Sequence, residues 1–184
     1  MDAISLMIEE HKVIKRGLSI LIKMSIAILN GEHVDYEDFH KIIDFVRSYA
    51  DKHHHSKEEE ILFKIMAIEL GEKNVQGPLS GMYIEHDLGR LFIKNLEESV
   101  LRVEEGDQDS RVDVIGNSIG YSDLLNRHID KEDKVIYTFA KRALSKVALD
   151  DLNEKCDMIE NIAKEKQLQE KYAHAILDLE NKWS

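Results

Sequence analysis

The sequence predicts an all-α protein: an up-down-up-down four-helix bundle with a C-terminal helical extension. Three observations lead there. Apolar residues recur with helical spacing, no alternating strand pattern appears, and the 184 residues contain one Pro and nine Gly, so long helices go unpunctuated. The length suits one bundle with an appendage. Asp2 can cap a first helix carrying Ile4, Met7, Ile8, His11, Ile14, Leu18, Leu21, Ile22 and Ile28, which stops at Asn30-Gly31. Asp35 caps a second helix, with Asp38 as a weak capping-box partner; its stripe runs from Phe39 to Met66 and ends at Leu70-Gly71. Pro78 marks the expected start of a third helix, after a connection over residues 70–77, because a first-turn position tolerates the missing N–H. That helix stops at Gly106, and Asp109 or Ser110 opens a fourth that runs to Leu144. Two charged helices follow, with stripes Leu149, Leu152, Cys156, Ile159, Ile162 and Leu168, Tyr172, Ile176, Leu179, Trp183. The expected division is residues 1–144 for the bundle and 145–184 for the extension.

Composition excludes several functions. Acidic residues number 36 against 25 basic, a formal net charge of −11, which argues against nucleic acid and anionic membranes. The apolar run from Leu18 to Leu29 is too short to span a bilayer, and the N-terminus lacks a basic signal region. One Cys permits no intrachain disulfide. These features describe a soluble cytoplasmic protein.

The strongest signal is an internal repeat. His54-x-x-Lys57-Glu58-Glu59-x-Ile61-Leu62-Phe63 aligns with His128-x-x-Lys131-Glu132-Asp133-x-Val135-Ile136-Tyr137, 74 residues later. The helix before each copy carries Glu-His, at Glu10-His11 and Glu85-His86. Each half is therefore a helical hairpin with one His on its first helix and a His-x3-Glu on its second. Counted from the connecting loops, His11 is level with His54 and His86 with His128. Between the halves the count leaves a gap of roughly 10 Å at 1.5 Å per residue, which a climbing connection over residues 70–77 would absorb.

Residues four apart share a helix face, so His54 points with Glu58 and His128 with Glu132. With His11 and His86, four imidazoles and two carboxylates converge in the core. Buried carboxylates are costly unless paired or coordinated, and metal resolves that cost. Nitrogen and oxygen donors without thiolate suit iron or manganese, with zinc as a substitute. Six protein ligands leave positions open on two ions, which makes a reactive centre. The competing reading is a metal-free helical module whose His and Glu are ordinary helix contacts.

Other chemistry-bearing residues read more plainly. His33, His40, His53, His55 and His174 read as surface residues, with His53 or His55 as donors behind the ligands. Glu10 and Glu85 read as surface residues or as acceptors for ring N–H groups. Tyr83 shares the face of His86 and either packs in the core or reaches a ligand on the metal. Tyr121 reads as core, and Cys156 as a small buried apolar residue.

These residues resemble the hemerythrin-like, HHE cation-binding family over residues 1–144. The resemblance implies a left-handed bundle with a non-haem di-iron centre. His11, His54, His86 and His128 would be terminal ligands and Glu58 and Glu132 bridges, with His11 and His128 on one iron and His54 and His86 on the other. Oxygen carriers of the family add a fifth His one turn from the third-helix His; here Met82 and Arg90 stand four residues either side of His86. The chain thus looks more like the branch that repairs iron centres or handles nitric oxide. The functions implied are binding or reaction with O2, nitric oxide or peroxide in stress defence or sensing; iron storage, delivery or repair; and reversible O2 carriage. The partners implied are that small ligand, and a second copy or an iron-acceptor protein. Whether there is turnover stays open.

Overall fold

The computed structural model describes residues 1–184. Helix α1 spans Ala3–Leu29. Asp2 caps it by accepting from the Ser5 N–H at 2.9 Å. It ends where Gly31 takes a φ of +72°, a conformation that glycine adopts without strain. Helix α2 covers residues 37–70, α3 Glu72–Glu104, α4 residues 111–143, α5 Lys146–Glu165 and α6 Leu168–Lys182. Short connections make the first four helices alternate in direction, and α4 packs on both α1 and α3.

Three details differ from the sequence expectations. Asp35 accepts from the Glu37 N–H at 3.2 Å, but Asp38 turns away from that cap and is buried against Lys41, Lys182 and Trp183. Helix α3 begins at Glu72, so only Gly71 separates it from α2, and Pro78 lies inside it. Gly71 makes this sharp break at a φ of +83°, and the Asn74 side-chain amide donates to the Leu70 carbonyl at 2.7 Å, closing the end of α2. Pro78 is exposed, so its missing bond leaves a carbonyl that water can reach. The early start also removes the expected offset between the halves. His86 lies 14 residues after Glu72 and His54 lies 16 before Leu70, so all four helices bring their His to one level.

The third difference is in helix type. Helix α2 is wound as π-helix over Val46–His55 and Glu58–Leu62, and α4 over Glu132–Ile136. Such i→i+5 turns are rare and concentrate at functional sites. A wider turn reduces the angle between consecutive residues, which helps two neighbours in sequence border one layer.

The apolar core is divided in two. One cluster includes Leu21, Phe39, Phe45, Leu96 and Val114, with Tyr172, Ile176 and Leu179 of α6 packed onto it. The other includes Ile4, Leu62, Val75 and Ala140, with Leu152 and Cys156 of α5. The extension thus lies along the bundle and covers both clusters. Gly17 of α1 lets the Phe45 ring of α2 approach closely, since a Cβ there would meet it at 2.7 Å, and Ile176 of α6 lies alongside in ordinary contact at 3.5 Å. Between the two clusters lies a polar layer.

Candidate metal centre

Every residue of the predicted set lies in that layer. His11, His54, Glu58, His86, His128 and Glu132 are buried, with 2% exposure at most. The imidazole Nε2 atoms and the carboxylates meet in the middle: His11 Nε2 is 3.3 Å from Glu132 Oε2, and His128 Nε2 is 3.0 Å from Glu132 Oε1. Glu58 Oε2 lies 3.5 Å from His86 Nε2 and 3.7 Å from His54 Nε2.

The structure adds a residue that helical spacing had put on the surface. His55 is buried and stacks on His86 with ring centroids 3.9 Å apart. The π-helical winding of Val46–His55 turns it inward beside His54. The ligand atoms form two groups that share Glu58: His55, Glu58, His86 and His128, and His11, His54, Glu58 and Glu132. The geometry therefore groups His11 with His54 and His86 with His128, rather than His11 with His128. Glu132 touches both groups, because its Oε1 is also 3.7 Å from His86 Nε2.

The ring nitrogens that face outward are held in a repeated pattern. His54 Nδ1 donates to Glu10 at 2.7 Å, and His128 Nδ1 to Glu85 at 2.9 Å, each within its own half. His11 Nδ1 donates to Asp133 at 2.8 Å and His86 Nδ1 to Glu59 at 2.6 Å, each across to the other half. His55 Nδ1 meets Asp51 at 3.3 Å. Arg90, four residues after His86, holds Asp51 and Glu59 with one guanidinium. These acceptors fix ring orientation and leave each Nε2 facing inward.

Four of these acceptors were visible in the repeat itself. The acids after Glu58 and Glu132 and the Glu residues before His11 and His86 recur in both halves. Sequence neighbours do not share an α-helical face, which is why Glu10 and Glu85 read as surface. They instead reach the His of the adjacent helix. His53 is also buried, against Glu10 and Glu160. His33 and His174 are exposed and His40 pairs with Glu104 near the surface, as expected.

The hydroxyl at the centre belongs to Tyr137, the aromatic of the second repeat copy. It is buried, stacks on His11 and donates to Glu58 at 2.5 Å. Phe63 occupies the corresponding place in the first half and has no such group. Tyr83 points elsewhere: it is 37% exposed and donates to the Glu59 carbonyl. Tyr121 is core, with a hydroxyl that has no partner. Cys156 is buried, and burial pushes its thiol up to about 12, so it stays protonated.

Protons divide unevenly over the layer. Burial, and next the charge of Glu132, push Glu58 well above the usual carboxylate range. Burial also pushes at Glu132, but His128, His11 and His86 outweigh it and hold that carboxyl well below the range. His11 rises to about 8, because Asp133 and Glu132 overcome its burial, while His54 falls to about 4 through burial and the neighbouring His11.

Five buried atoms aimed into this layer have no hydrogen-bond partner: His11 Nε2, His54 Nε2, Glu58 Oε2 and both carboxylate oxygens of Glu132. Unsatisfied polar atoms at this depth are rare, because each forfeits its hydration without compensation. Imidazole nitrogens and carboxylate oxygens without thiolate form a donor set that fits divalent first-row metals.

A His and carboxylate layer inside four antiparallel helices defines a metal-binding helical-bundle protein. Residues 2–140 match the hemerythrin HHE cation binding domain, and the chain belongs to that family. No curated protein and no solved structure matches it. No helix is long and apolar enough to cross a membrane.

Proposed function

We propose that this chain holds two non-haem iron ions bridged by Glu58 and Glu132, and that it binds or reacts with O2, nitric oxide or peroxide in stress defence or sensing. The five inward atoms without partners carry the metal reading, since a cation beside them would satisfy them, and the adjoining group of His55, Glu58, His86 and His128 offers the place for a second ion. His11 and His54 would hold one ion, and His86, His128 and His55 the other. Ferrous ions there would supply electrons to a small ligand. His11 and His54 offer two imidazoles against three on the other side, so an ion held there would keep more positions open. Tyr137 on that side donates its O–H to Glu58 Oε1 and stacks on His11, which leaves Glu58 Oε2 facing the layer without a partner.

A second reading, reversible O2 carriage, gains from His55. Oxygen carriers of the family add a fifth imidazole on the third helix, and here His55 provides one from α2. One experiment separates the readings. The protein is loaded anaerobically with ferrous iron and mixed with O2 or nitric oxide while the visible spectrum is followed. The proposal expects a spectral change at a stoichiometry of two irons per chain. Its reversal on degassing would establish O2 carriage, and a silent iron-loaded protein would remove both readings.

A further inference from the structure

The two halves of the repeat differ in how they surround their equivalent lysines. In the second half, Lys131 pairs with Glu85, which accepts from His128. That lysine is 48% exposed and Glu85 is 19% exposed. The equivalent group in the first half is Lys57, Glu10 and His54. Here Lys57 is fully buried and Glu10 is 4% exposed. The cause is α5, which lies over this side and adds Glu160, an acid outside the region matched to the family. The Lys57 ammonium sits between Glu10 and Glu160, 2.5 Å from the latter and 3.2 Å from His53 Nε2. His53 itself reaches both carboxylates, at 3.1 and 3.2 Å. Its counterpart in the second half is Arg127, which is exposed and pairs only with Asp123.

Glu10, His53 and Glu160 lie close enough to hold a cation, and Lys57 supplies one from the chain. A buried lysine is tolerated only with charge compensation, and Glu10 alone would have to share its charge with His54 and His53 as well. Glu160 makes up the deficit. It leaves Glu10 Oε1 on Lys57 and Oε2 free to accept from His54 Nδ1, the contact that turns His54 Nε2 toward the centre.

We propose that Lys57 and Glu160 are positioning residues for His54, and that the C-terminal hairpin is thereby a working part of the metal site. Docking of α5 and retention of the ion on His11 and His54 are then linked, and each favours the other. This inference rests on the metal reading above, without depending on iron or on any reaction.

The test uses Co2+, a redox-silent probe with ligand-sensitive visible bands, titrated into the full chain against a competing chelator. Glu160→Gln keeps shape and removes charge, and Glu160→Ala removes the group. Both should weaken one of two Co2+ sites by about tenfold or more and alter its bands, as losing a partner behind a ligand does. Both should also raise hydrogen exchange over residues 146–165, with helicity by circular dichroism retained. Arg16→Gln, which breaks the pair of Arg16 with Glu180 on α6, loosens the extension elsewhere and should leave both sites intact. Unchanged Co2+ affinity and bands in both Glu160 variants overturn the inference alone. So does an equal loss in Arg16→Gln, which would mark a general effect of stability. An unaltered chain that binds no Co2+ removes the metal reading and this one together.

Discussion

His55 shows how much a single residue depends on the turn that presents it. On a regular α-helix it would point about 100° away from His54. In the π-helical segment it faces the same layer and stacks on His86. Its Nδ1 is held by Asp51, so its other nitrogen faces the carboxylate of Glu58 and the rings of His86 and His128. His55→Ala should therefore lower metal affinity by at least about tenfold, the scale on which even a partner behind a ligand acts. His33→Ala, in an exposed turn, should leave it unchanged. Isothermal titration with Co2+ measures both, and equal affinities would return His55 to a packing role. The six predicted residues were legible because the repeat states each of them twice. His55 was not, because its counterpart in the second copy is Ile129, so it has no echo to mark it.

At the scale of elements, the extension is anchored at two points with different chemistry. Near the site α5 offers Glu160 to Lys57. At the far end, the indole of Trp183 donates to the buried carboxylate of Asp38 at 2.9 Å, and Lys182 pairs with the same group at 2.6 Å. Burial pushes the Asp38 pKa up, but Lys182, Lys41 and Trp183 outweigh it and hold it below the usual value. A carboxyl lowered in the folded state contributes stability above its unfolded pKa of about 3.9, and that contribution is lost as pH falls through the folded value. Trp183 is the only tryptophan, so its fluorescence reports the docked end directly. We expect its emission to shift to the red below about pH 4, and Asp38→Asn to show the shifted emission already at neutral pH. Emission that ignores both changes would mean that apolar contacts of Tyr172, Ile176 and Leu179 hold α6 without help. The stripes of both tail helices could be read from spacing, but not which bundle helices they cover. In the folded chain α6 covers the cluster around Leu21 and Phe45, and α5 the one around Leu62 and Val75.

At the scale of the whole molecule, the polar layer weakens the metal-free fold. It separates two apolar clusters and buries two carboxylates whose inward oxygens have no donors apart from the Tyr137 hydroxyl on Glu58. A ligand that binds only the folded state adds about 2.7 kcal/mol of stability at a free concentration 100 times its Kd. For a chain of this size that corresponds to a rise in Tm of roughly 5–11 °C. Differential scanning calorimetry with and without ferrous iron under anaerobic conditions should show it, and chelation should reverse it. A Tm that does not respond to metal would count against a centre formed by these residues.

The sequence by itself determined the helical class, the twofold repeat and six of the residues in the layer, because spacing along a helix and repetition along a chain are local properties. Tertiary structure decided the rest. It closed the gap between the halves by starting α3 at Glu72, since one glycine with a positive φ can reverse the chain. It brought Glu10 and Glu85 onto the rings of neighbouring helices, and wound α2 so that His55 joined the centre. It also laid α5 over only one of two equivalent lysines. Each of these depends on which helix lies beside which, and distance between helices is not encoded in the spacing within any one of them.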